Sequence, residues 1–336
     1  MILLIKNNIY KTLLGTFISL VSLFLLLKIV DSFEKTLESL TSVSIFYLAI
    51  GFLIYFLSLF LRTYRWKILL KKNVSTIKFK SLLNVVISGY MFNNLLPARL
   101  GELARIYHLS LLKKINKSFV LGSILAERVT DVIVLMLFLL IGLIFIPREF
   151  TENFSSNLNI SPQIVYISLI ILLSLTTIFI LIILSGLWKE ITHKFLQLLK
   201  KINSKFNPDK YIESFTEGAF SISNKKFIKV VVIATSLWAI EFSMFYLIGT
   251  QFNFDIENLF IAILFFGIFS NLGGIIPSTS GGWGPFEVIG TIVLTSFGVD
   301  SNEAAAFTIL VHLILWLPIS IVGLITFIID FRKSKS

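Results

Sequence analysis

Two stretches of this chain hold residues that no lipid-facing helix can carry, and they constrain the fold more than any other feature. The first runs Phe92-Asn93-Asn94-Leu95-Leu96-Pro97-Ala98-Arg99-Leu100-Gly101-Glu102 and turns helical again through Leu103-Ala104-Arg105. The second runs Pro277-Ser278-Thr279-Ser280-Gly281-Gly282-Trp283-Gly284-Pro285-Phe286-Glu287. Both interrupt long apolar sequence, in a chain that is 56% hydrophobic with a mean hydropathy of +0.88. Soluble domains hold roughly 45–50% apolar residues, so lipid must act as solvent here. In lipid, irregular backbone is tolerated only where protein or water covers it. The two stretches therefore predict re-entrant hairpins in an all-α, polytopic transmembrane bundle.

The apolar runs between them place six spans, at about 13–30, 43–61, 118–146, 164–187, 228–250 and 304–329. The first follows Lys6 and Lys11 and lacks a small-residue cleavage site, so it reads as a retained span. The second ends in Arg62-Thr63-Tyr64-Arg65-Trp66-Lys67, expected to be a basic and aromatic interface anchor. Residues 82–96 fall short of the roughly 20 needed to cross, so 82–112 should dip in and return. Residues 258–297 either form a second hairpin or cross twice; the Ser/Gly/Pro turn favours the hairpin. Segments 31–42, 147–163, 251–257 and 299–303 read as acidic loops.

Charge orders these segments across the bilayer. The net charge is +11, and 26 of the 30 Lys and Arg fall in residues 1–11, 62–117, 188–229 and 330–336. Cationic loops stay inside, so both termini are expected in the cytoplasm of a cell-membrane protein. Because the charges interrupt lipid-length spans, the basic balance does not point to nucleic acid. Residues 188–227 form a basic segment with Ile191, Phe195, Leu198, Leu199, Ile202 and Phe206 at helical spacing. It reads as an interfacial helix against anionic lipid or an ordinary cytoplasmic loop. The whole of 1–336 is expected to be one transmembrane domain, with pseudo-repeat halves at about 1–147 and 163–331. Each half reads span, span, hairpin, span, and the second starts on the opposite face, as in inverted-repeat transporters. A sequence echo supports this: Phe92-Asn93-Asn94-Leu95 leads to Pro97, Gly101 and Glu102, and Phe269-Ser270-Asn271-Leu272 leads to Pro277, Gly284 and Glu287.

Ionisable residues inside spans mark the candidate site. Glu127-Arg128-Val129-Thr130-Asp131 lies within the third span. Three intramembrane charges cost on the order of 9 kcal/mol if additive. The 19 Leu, Ile, Val and Phe of residues 118–146 offer roughly 0.3–0.6 kcal/mol each. The terms are similar in size, so the triplet should face protein or water. Glu127 and Asp131 share a helix face, and Arg128 can pair with Asp131 at i, i+3. With Arg99, Glu102 and Arg105 from the first hairpin they predict either a polar cavity or a structural ion-pair cluster. Asn94 and Pro97 belong to the hairpin tip, and Glu241 and His312 are further intramembrane candidates. Gly281, Gly282 and Gly284, ahead of Glu287, give backbone freedom and N–H groups suited to a phosphate, or simply a tight membrane turn. No dinucleotide or P-loop fingerprint surrounds them. Cysteine is absent, which excludes disulfides and thiolate metal sites. No cofactor, metal site or nucleophile–base constellation is expected.

Taken together, Leu96-Pro97-Ala98-Arg99-Leu100-Gly101-Glu102 with Arg105, Glu127-Arg128 with Asp131, Arg65-Trp66 with Leu69-Leu70, and Gly-Gly-x-Gly-x-x-Glu at 281–287 resemble the lysylphosphatidylglycerol synthase transmembrane-region family, also described as flippase-like. The likeness covers nearly the whole chain. It departs at Ser280, where Pro is usual, and at Trp283, where a smaller apolar residue is usual. The resemblance implies a module that moves lipids between leaflets. In the multiple-peptide-resistance factors that module is joined to a soluble aminoacyltransferase domain, for which a chain ending at Ser336 has no room. A separate lipid-modifying enzyme is then the expected partner, and lipid-linked glycan is an alternative cargo. On this reading Arg99 and Arg105 would meet a phosphate or other anionic head group. Glu102, Glu127 and Asp131 would pair with those arginines or with a cationic head group. Two other functions fit part of the pattern: a membrane-embedded lipid transferase with Glu102, Glu127 or Asp131 as general base, and a small-solute secondary transporter.

Overall fold

A computed structural model describes residues 9–70, 77–96, 100–113, 115–185, 208–220, 224–274, 276 and 280–333, with isolated positions at 187, 190 and 194. Among the described residues there are thirteen α-helices. They are α1 (Ile9–Ile29), α2 (Phe33–Ser42), α3 (Ile45–Leu69), α4 (Phe79–Leu95), α5 (Gly101–Lys113), α6 (Lys117–Ile144), α7 (Arg148–Asn157), α8 (Pro162–Ser185), α9 (Pro208–Phe220), α10 (Asn224–Gly249), α11 (Leu259–Gly273), α12 (Pro285–Ser296) and α13 (Ser301–Lys333). Each apolar run of the sequence lies on one of them. The fold class is thus all-α, and apolar helices run through most of the described chain.

Length separates spans from half-spans. Helices α3, α10 and α13 are long and apolar enough to cross a membrane; α1 with α2 and α6 with α7 also qualify, but bend by 92° and 112° at their joints. By contrast α11 has 15 residues and α12 has 12. At about 1.5 Å per residue these reach roughly 22 and 18 Å, short of the roughly 30 Å hydrocarbon core. They pack against each other, so 258–297 is a hairpin and not two full crossings. The first hairpin is α4 and α5, which also pack together. Gly89 makes their approach tight: a Cβ there would lie 2.7 Å from Arg105 Cδ and 3.3 Å from the Gly101 carbonyl.

The two bent joints correct the sequence reading, which treats 31–42 and 147–163 as loops. Ser32 caps α2 by accepting the Lys35 N–H at 3.4 Å, and Pro147 precedes the first turn of α7. Both are ten-residue amphipathic helices, too short to register against the apolar runs beside them. A second correction concerns Arg62-Thr63-Tyr64-Arg65-Trp66-Lys67. Helix α3 continues unbroken to Leu69, and Arg62, Arg65 and Trp66 are buried in protein instead of anchoring an interface. Within the basic segment 188–227, Ile191, Phe195, Leu198, Leu199, Ile202 and Phe206 lie outside the described residues. The described part, α9, packs along α6. There Gly218 lets the backbones approach, a Cβ on it falling 2.8 Å from the carbonyl carbon of Phe119.

Behind the hairpins an aromatic core joins α10, α11 and α13. Phe245, Phe265, Phe266 and Phe307 are fully buried. Phe266 meets Phe307 edge-on at 4.9 Å and Phe245 at 5.7 Å, an arrangement aromatic quadrupoles favour. This core holds α11 against the spanning helices and so fixes where the second tip emerges.

A charged cavity where two hairpin tips meet

The tips of the two hairpins touch, through the last long helix. Asn94 Nδ2 at the end of α4 donates to the Trp316 carbonyl and to Ser320 Oγ, both at 3.0 Å. Trp316 Nε1 donates back to the Asn94 carbonyl at 3.2 Å. Pro318 stands between these partners in α13, where the ring removes a helical N–H and a neighbouring polar side chain meets the loosened turn. Gly281 closes the contact from the other side. Its φ is +81°, and a Cβ on it would lie 3.3 Å from the Asn94 carbonyl and 2.6 Å from Trp316 Cδ1, so neither backbone nor space admits a side chain.

A cavity of about 490 Å³ opens beside this junction. Its walls include Asn93, Asn94 and Glu102 from the first hairpin, and Asn271, Gly274, Gly281 and Phe286 from the second. Arg62, Arg128, Asp131 and Glu241 supply charge from spanning helices, and Tyr55, Tyr90, Trp238, His312 and Trp316 supply aromatic surface.

The charges are arranged in two tiers. In the buried tier, Arg65 grips Asp131 with both terminal nitrogens, at 2.6 and 3.2 Å, and reaches Glu127 at 3.6 Å. Arg105 holds Glu127 at 2.8 and 3.3 Å and lies 4.1 Å over the Trp66 ring. Arg62 holds Glu241 at 2.6 and 3.1 Å, flanked by Trp238 at 5.3 Å and Tyr90 at 5.7 Å. Ser58 adds a 2.7 Å bond to Glu241, and Trp238 Nε1 a 3.1 Å bond to Asp131. Paired and hydrogen-bonded in this way, buried charges avoid the desolvation cost that an isolated one would carry. The second tier is the Arg128–Glu102 pair at 3.2 Å, with side chains 37% and 38% exposed. Arg128 also leans on Glu127 at 3.4 Å and Asp131 at 3.5 Å.

The sequence candidates distribute unevenly. Asn94, Glu102, Arg128, Asp131, Glu241 and Gly281 reach the cavity. Arg105 and Glu127, expected at a head group, are buried behind its wall as each other's partners. Pro97 and Arg99 lie outside the described residues. The glycine loop offers less to an anion than the sequence suggests. Gly282 and Gly284 are buried, and the Gly284 N–H is already bound to Glu287 Oε2 at 2.6 Å. Gly281, Gly282 and Gly284 all have positive φ, the mark of a tight turn. Glu287 lies behind the cavity lining, where it meets Nδ1 of His312, a lining residue.

Reasoning from sequence missed Arg62, Arg65, Tyr90, Trp238 and Trp316 as cavity or network residues. For Arg62 and Arg65 the signal was present: they stand three residues apart, on one helix face, and continue the apolar run before them. Among the described residues no group of three or more His, Asp or Glu is placed to hold a metal ion.

Comparison with known proteins agrees with this architecture. A membrane protein of the UPF0104 group from Methanocaldococcus jannaschii is 24% identical over 310 residues, covering 89% of each chain. A second from the same organism is 30% identical over 251 residues, 72% of this chain and 94% of the relative. One from Pyrococcus horikoshii is 25% identical over 322 residues, 91% and 93% of the two chains. The model of the lysylphosphatidylglycerol synthase TM region matches residues 12–323. This chain is a multi-pass membrane protein that belongs to the lysylphosphatidylglycerol synthase TM region family.

Proposed function

We propose that the protein moves the head group of an anionic or aminoacylated phospholipid, or of a lipid-linked glycan, between leaflets through this cavity. The observation that carries the proposal is a pair of charges, Arg128 and Glu102, half exposed in a cavity walled by both hairpin tips. At about 490 Å³ the space matches the roughly 300–1,000 Å³ of small-ligand sites. A phosphate docking on Arg128 displaces Glu102, which is then free to meet an ammonium. The buried tier keeps the walls rigid and neutral meanwhile. General-base chemistry is the weaker reading, because Glu102, Glu127 and Asp131 each hold an arginine partner, which suits a structural carboxylate better than a base. The cytoplasmic termini and inverted repeat belong to the same proposal, supported by the lysine and arginine distribution and by one hairpin in each half.

The test is lipid scrambling in proteoliposomes with fluorescent phosphatidylglycerol, aminoacyl-phosphatidylglycerol and polyprenyl-phosphate-sugar analogues. Charge-assisted hydrogen bonds contribute about 1.5–3 kcal/mol. Arg128→Gln and Glu102→Gln are therefore expected to slow scrambling of the preferred analogue by about 10- to 100-fold, while both variants fold. Unchanged rates in both variants would overturn the assignment.

A further inference from the structure

We infer that Glu287 and His312 together bind one proton, and that this proton latches the tip of the second hairpin to the last spanning helix. His312 Nε2 lies 3.0 Å from the Gly281 carbonyl. A carbonyl only accepts, so Nε2 carries hydrogen. The opposite nitrogen, Nδ1, faces Glu287 Oε1. A neutral imidazole has a single N–H, already used at Nε2. An ionised Glu287 would then present a lone pair to a lone pair. The contact therefore requires one further proton between Nδ1 and Oε1, whichever atom carries it. With that proton the pair is electrically neutral. Glu287 Oε2 is occupied by the Gly284 N–H at 2.6 Å, so the carboxyl group ties the turn to the ring.

The unit is sealed. Side-chain exposure is 6% for His312 and 1% for Glu287. Trp283 stacks on the imidazole at 4.4 Å and Phe286 lies 4.5 Å from it. Loss of the proton leaves one uncompensated negative charge in this space, a costly state inside a membrane protein. Among the described residues no cation is positioned to relieve it. Across the cavity, Arg62 is held by Glu241 and Arg128 by Glu102 and Asp131; the phenols of Tyr55 and Tyr90 face the same space. From α1, Ser19 Oγ donates to the Trp283 carbonyl at 2.7 Å, and residues 14–27 hold no ionisable side chain. Helix α11 holds none, and α4 brings Asn93 and Asn94 at its tip. Asp31, ahead of α2, meets α13 at Ser301, and Asn157 of α7 meets α12 at Ser296, about three turns from His312 and two and a half from Glu287. Deprotonation therefore breaks the Nδ1–Glu287 contact, and the uncompensated charge loosens a turn then tied to the ring through the Nε2–Gly281 bond alone. Because His312, Gly281 and Phe286 line the cavity, release of the turn opens that wall, and the cavity supplies the path for the proton. Acid favours the latched tip and alkali the released one. The effect on lipid movement rests on the transport reading, while the latch itself rests on geometry.

The chain contains no cysteine, so Ile276→Cys, 41% exposed beside the turn, accepts a single nitroxide label in proteoliposomes. Spectra are recorded across roughly pH 5 to 9. The mobile-to-immobile ratio should rise about tenfold per pH unit through one transition, the dependence of a single proton. Glu287→Gln places an amide N–H against Nδ1 and keeps an acceptor for Gly284, so its label should stay immobile at every pH. His312→Gln removes the ring from the pair, and its label should likewise be independent of pH. A transition that survives both substitutions, or a flat profile in the parent, overturns the latch. Labelled tips that respond as described in vesicles that scramble no lipid would leave the latch standing and the transport reading refuted. Scrambling beside a flat label profile would do the reverse.

Discussion

Replacing Arg65 by Met isolates the buried tier from the exposed one. Arg65 is fully buried on α3, bonded to Asp131 at 2.6 and 3.2 Å and 3.6 Å from Glu127. Without it, Glu127 keeps Arg105, but among the described residues Asp131 retains Trp238 and the 3.5 Å approach of Arg128. Removing one partner of a buried pair costs about 3–5 kcal/mol, or roughly two to four decades in the folded-to-unfolded ratio. Arg65→Met/Asp131→Met should recover most of this, since replacing both members by apolar groups is often neutral. Arg128→Met, at a site 37% exposed, should cost about 1 kcal/mol or less. The assay is reversible denaturant unfolding in detergent followed by tryptophan fluorescence, with the parent, Arg65→Met, Asp131→Met, the double variant and Arg128→Met side by side. A stable Arg65→Met, or a double variant as weak as the sum of its singles, would refute the claim that these charges stabilise one another through burial.

Two packing predictions follow from the glycines. Gly89→Leu forces α4 off the Arg105 stem and should cost about 1–3 kcal/mol by overpacking, read as a lowered unfolding midpoint in detergent. Gly218→Leu drives α9 away from Phe119 of α6; limited proteolysis within residues 208–220 should accelerate, and an unchanged cleavage pattern would show that this contact does not hold α9 in place.

The positions of the helices were legible in the chain because a lipid solvent leaves few options. Apolar runs near 20 residues must be helical, and a run broken by Asn, Pro and Gly must fold back under cover. That logic located α4, α5, α11 and α12 and flagged Glu127, Arg128 and Asp131 as unable to face lipid. It also marked Glu241 and His312, without their partners. It failed at α2 and α7, whose mixed composition resembles loop, and at Arg62 and Arg65, which mimic an interface anchor when only their neighbours in sequence are considered.

Sequence alone therefore determined an all-α membrane bundle with two broken segments and a set of charges that had to be hidden. Which charge answers which was decided only by tertiary packing. Arg65 finds Asp131 across 66 positions, Arg62 finds Glu241 across 179 and Glu287 finds His312 across 25. Local periodicity reaches four residues along a helix, and the pairings that hide these charges depend on how helices far apart in the chain cross.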